Sequence, residues 1–61
     1  MINQDYLNKL IGLMNQGLIK IADIKNVEYA TAVTVHFKAE VVAGTITAEQ
    51  YKVITGIEYT V

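Results

Sequence analysis

Between positions 6 and 14 apolar residues recur at helical spacing: Tyr6, Leu7, Leu10, Ile11, Leu13 and Met14 gather on one side. Asn8, Lys9, Asn15 and Gln16 fall mostly on the other. Asn3 suits the N-cap of such a helix, and Asp5 in its first turn complements the helix dipole. Ile2 before the cap can staple onto Leu7. Gly17 suits the left-handed residue that closes a helix, with Leu18 near Leu13 in a Schellman-type end. The pattern predicts a helix over 4–16. Gly12 inside it is either a tolerated weak point, costing up to about 1 kcal/mol relative to Ala, or a place where another helix comes close. The second reading is preferred.

The middle of the chain reads two ways. As a helix it starts at Asn26, carries Glu28 in its first turn and ends at Gly44. Tyr29, Ala30, Val33, Phe37 and Val41 then form one stripe. As a strand it alternates, with Thr31, Val33, Val35, Phe37, Ala39 and Val41 on one face and Thr34, His36, Lys38 and Glu40 on the other. The β-branched run 31–35 favours the strand locally, but each such residue costs a helix at most about 0.7 kcal/mol. A strand would also need partners, and only 18–24 and 57–61 could serve. The caps on both sides select a helix over about 27–42. That helix would carry a second apolar face, Ala32, Val35, Ala39 and Val42. A helix apolar on both sides is buried twice, and in a short chain the second cover is most simply another subunit.

The third element lies within 44–56, where Thr47 and Gln50 have capping-box spacing, Ile46 and Tyr51 can staple, and Gly56 suits the left-handed close. A helix over 48–55 follows. The nine residues from Gly17 to Lys25 align with those from Gly44 to Lys52: a Gly, an Ile two on, then Asp23 or Gln50, an apolar residue and a Lys. Lys20 stands where the second copy has Thr47, so the first copy should form only a poor turn near 21–25. By that logic Lys20→Thr would stabilise it. The expected fold is mostly α, a single small domain over 1–61 with three main helices. The alternative is α+β, with strands near 18–24, 29–42 and 57–61. In either case the alternating tail 57–61 could lie as an arm on a neighbour, which makes Tyr59, with Val35, Ala39 and Val42, a candidate interface residue.

Composition sharpens the expectation of association. Sixty-one residues bury only roughly 60% of the unfolded surface, and such chains usually need disulfides, a metal or oligomerisation. There is no Cys and a single His, yet 52% of the chain is apolar and the mean hydropathy is +0.31. A homo-oligomer is the remaining remedy.

The chemistry available is sparse. Five Lys, no Arg and a net charge of −1 argue against nucleic-acid binding. No apolar run approaches a membrane span, and the first residues lack the basic start and apolar core of a signal peptide. An intracellular site of synthesis is therefore the default. His36 is the lone base near neutral pH, read as a solvated or interface side chain. There is no Ser, no Cys and no Gly-rich phosphate loop, so neither an enzyme nor a cofactor is expected. Tyr6, Tyr29, Tyr51 and Tyr59 suit partner surfaces, though core packing explains any one of them as well.

The run Gly44-Thr45-Ile46-Thr47-Ala48-Glu49-Gln50-Tyr51-Lys52-Val53-Ile54-Thr55-Gly56, continuing to Tyr59, resembles the end of the small XkdX-type proteins of phages and prophages. In those a Gly-x-Ile-Thr-x-Glu-Gln-Tyr-x-x-Ile-Thr-Gly-x-x-Tyr pattern closes a chain of similar size. The match spans about a quarter of this chain, and the middle segment is longer than in that family. The resemblance implies a phage tail module and hands over no functional residues. It points to a non-enzymatic assembly factor, or else to a minor structural component of the tail tip. Host cytoplasm or virion tail is the implied location, and the symmetry of tails favours a trimer or hexamer. A phage tail protein is the implied partner. A DNA-associated regulator is the weakest alternative, because Arg is absent.

Overall fold

A computed structural model describes residues 2–60. It contains three α-helices, α1 (Gln4–Asn15), α2 (Val27–Ala43) and α3 (Ala48–Thr55), with a single 3-10 turn at Ile21–Asp23 between the first two. No strand occurs among the described residues, so the mostly α reading holds and the α+β alternative does not. Val61, the last residue of the 57–61 tail, lies outside them. The three helices and the turn fall where the periodicity and caps predict, within one residue at α1 and α2 and within two at the turn.

Local chemistry fixes the ends. Asn3 Oδ1 accepts from the N–H of Tyr6, and Asn26 Oδ1 accepts from those of Glu28 and Tyr29. Thr47 and Gln50 form the full reciprocal box, at 3.1 and 2.8 Å. α1 and α2 both close in Schellman motifs: Leu18 N–H reaches the Leu13 carbonyl, and Thr45 N–H reaches that of Glu40. Gly17 and Gly44 supply the left-handed turn at φ +79° and +82°.

α2 is the central element and packs on both other helices and on the 3-10 turn. Val33 and Phe37 are fully buried on it, and they join Leu7, Leu10 and Met14 of α1 and Tyr51 of α3 in one core. Ile19, Ile24, Ile46 and Ile54 pack around that cluster from the connecting segments and α3.

Two expectations change. A side chain at Gly12 would meet nothing within 4 Å, so no helix comes close there; the residue is a tolerated weak point. Ala32 packs against the core and so belongs to the inward side of α2, at the edge of its buried stripe.

Candidate interaction surface

Among the described residues, nothing covers the outer face of α2. Val27, Thr31, Val35 and Ala39 follow one another at four-residue steps, and all are exposed. Val42 ends the row at 81% exposure, with Val35 at 60% in the helix centre. The first half of this row was missed in the sequence, although the same step of four runs back from Val35 to Val27. Three of the four candidate interface residues, Val35, Ala39 and Val42, are thus brought together on one face.

Tyr59 is elsewhere. Its ring meets Tyr51 edge-on at 5.2 Å, and it packs half-buried against the core. The chain turns back after Gly56 because Thr55 holds it. The buried Thr55 hydroxyl donates to the Tyr51 carbonyl at 2.8 Å and accepts from Ile57 N–H at 3.1 Å. The tail through Thr60 therefore runs beside its own α3, and Tyr59 covers an aromatic neighbour in the same chain.

Tyr51 is fully buried, and its hydroxyl has no hydrogen-bond partner among the described residues. Burial pushes its phenol pKa up from the ordinary value. Tyr6 is half exposed and stands edge-on to Tyr29 at 4.9 Å, while the Tyr29 hydroxyl accepts from Asn3 N–H at 2.8 Å. That bond ties the start of α1 to the start of α2. His36 Nε2 lies 3.4 Å from Glu40 one turn on, a surface pair of a kind worth a few tenths of a kcal/mol when the imidazole is charged.

A hollow of about 330 Å³ lies between α1, the 3-10 turn and the start of α2, floored by Leu10, Leu13, Ile19 and Ile24. Most of its polar lining is already committed: Asp23 accepts from Lys20 N–H, Asn26 caps α2, and the Tyr29 hydroxyl holds Asn3. Little polar chemistry is left there to select a ligand. Among the described residues no three His, Asp or Glu side chains group as metal ligands, and no helix is long and apolar enough to cross a membrane.

Lys20 is followed by the poor turn that the sequence predicts, but its side chain has a task that sequence reasoning missed. It is extended at φ −122°, ψ 172°, as an N-cap should be, but a lysine has no acceptor to offer the turn. Instead its Nζ donates to the Val53 carbonyl at the end of α3, and its stem lies over Gly56. No feature of the local pattern around position 20 points to a bond 33 residues away.

Comparison with known proteins adds no relative: no family model, no curated protein and no solved structure matches the chain.

Proposed function

We propose that this chain is a non-enzymatic, self-associating protein of a phage tail module, acting as an accessory or chaperone-like factor in tail assembly. The observation that carries the reading is the open apolar row on α2, Val35, Ala39 and Val42, which no element among the described residues covers. Exposed valines on the longest helix of a 61-residue chain suit burial against a second protein surface. The phage context rests on the resemblance to XkdX-type proteins. The positions behind that resemblance have structural tasks here: Thr47 and Gln50 box the start of α3, Tyr51 and Thr55 are buried, and Gly56 makes the left-handed close. A protein with the same pattern would build the same C-terminal unit, and partner recognition would fall to other residues. Host cytoplasm is the proposed place of action, and a trimer or hexamer the proposed assembly.

Light scattering at micromolar concentration tests the reading. The expected result is an oligomer whose melting temperature rises with concentration. Val42→Glu should reduce it to a monomer of unchanged helicity, because Val42 makes no core contact. A monomer mass for the parent chain, with a melting temperature indifferent to dilution, would overturn self-association. Mass spectrometry of purified virions then separates an assembly factor, absent from particles, from a minor structural component of the tail tip.

A further inference from the structure

The C-terminal turn of α3 is completed from outside the helix. The donors that follow it go elsewhere: Gly56 N–H bonds the Lys52 carbonyl, and Ile57 N–H bonds Thr55 Oγ1. The Val53 carbonyl is reached by the Lys20 ammonium from the segment joining α1 to α2. This is the negative end of the helix dipole, where a cation is favoured. Lys20 is itself held in place, since its backbone N–H bonds Asp23 at 2.9 Å and its carbonyl accepts from Asp23 N–H at 3.0 Å. Its stem passes over Gly56, with Cβ, Cγ and Cδ all within 3.7 Å of where a side chain at 56 would begin. Eight residues are too few for a helix to stand alone in water, so α3 depends on what it touches.

From this we infer that Lys20 is a charge-operated latch for α3. The ammonium holds the last turn of α3 to the 18–26 segment, and loss of the positive charge at position 20 lets α3 open as a unit while α1 and α2 stay paired. Opening withdraws Tyr51 from the cluster it shares with Val33 and Phe37. α2 then has two apolar faces of different status. The Val35–Val42 row faces outward whether or not α3 is docked, and the Val33–Phe37 side is gated by α3. The latch does not depend on the proposed tail role.

Amide hydrogen exchange read by mass spectrometry tests it on the full chain with Lys20→Met and Lys20→Arg. Methionine keeps most of the stem and removes the charge; arginine keeps both stem and charge. Lys20→Met should speed exchange across 51–56 by about two- to fivefold, with α1 and the centre of α2 unchanged. Lys20→Arg should keep the parent protection. Unchanged exchange over 51–56 in Lys20→Met would overturn the latch, as would acceleration shared equally by α1. Arginine behaving like methionine would overturn its dependence on charge.

Discussion

The two connectors of this chain, 17–24 and 44–51, start alike and finish differently. Each begins at a left-handed glycine in a Schellman close, continues to an isoleucine packed on the core, and reaches an extended residue at the next N-cap position. In each, a side chain three residues on accepts the cap's own N–H, Asp23 at 2.9 Å and Gln50 at 2.8 Å. The sequence repeat is therefore a repeat of backbone geometry. The difference that decides the cap is the side chain at the N-cap position. Thr47 returns a bond to Gln50 N–H and eight helical residues follow. Lys20 cannot, and a single 3-10 turn of three residues follows. A connector of this kind delivers the chain to a helix start, and the cap's acceptor goes with whether the helix propagates.

The largest effect should come from the feature the connectors share. Gly17→Ala and Gly44→Ala each force a side chain into the left-handed region, at a cost of about 1–2 kcal/mol. Neither position has an atom within 4 Å of the added carbon, so the penalty is one of backbone conformation alone. Chemical denaturation should give similar losses for the two variants. A loss at one site only would show that the connectors are not equivalent at their glycines.

Thr47→Ala comes next, with a loss of about 1 kcal/mol and lower helicity. It removes the one bond that separates the second connector from the first. Full retention of α3 protection in this variant would mean that packing by Tyr51 and Ile54, rather than the cap, determines helix length.

These cap and close residues were readable because their chemistry is local. Asn3, Asn26, Thr47, Gly17, Gly44 and Gly56 each act within a few positions of themselves, and a three-residue spacing carries the information. The outward face of α2 was readable for a related reason: once 27–43 is a helix, its period places Val35, Ala39 and Val42 together. Contacts between elements were not readable. The Tyr29–Asn3 bond spans 26 residues and the Lys20–Val53 bond spans 33. Nothing near Gly12 says whether a neighbour arrives. Alternation in the tail could not say that Thr55 would turn it back and set Tyr59 on Tyr51.

Tyr51 gives a test of similar size and opposite sign. Its hydroxyl is buried with no partner among the described residues, so Tyr51→Phe should stabilise the fold by about 1 kcal/mol. The second connector would then anchor its helix more firmly than the natural residue allows. The phenol also ties stability to alkaline pH. Burial raises its folded pKa above the ordinary value of 10.0, so the unfolded chain loses the proton first. This contribution is intact below about pH 10 and falls away as the pH rises toward the folded pKa. Melting temperatures from pH 8 to 11 should fall less steeply for Tyr51→Phe. Equal slopes for the two proteins would show that the buried phenol is not the group responsible.

The smallest net change should come from making the connectors alike. On the repeat alone, Lys20→Thr is stabilising, since a threonine hydroxyl could accept from Asp23 N–H and cap the turn for about 1 kcal/mol. The structure opposes that gain with a loss, because the same substitution removes the ammonium from the Val53 carbonyl and the stem from Gly56. A cation at a helix C-terminus contributes about 0.3–1 kcal/mol, so the two changes should nearly cancel in the melting temperature. They should not cancel in place. Exchange should slow at Asp23 and Ile24, the amides bonded in the 3-10 turn, and quicken over 51–56. The mirror substitution, Thr47→Lys, has no such offset: it deletes a working cap and should cost at least as much as Thr47→Ala. A clear rise in melting temperature for Lys20→Thr, with α3 undisturbed, would mean that position 20 acts only as a defective cap and that its reach to α3 contributes nothing.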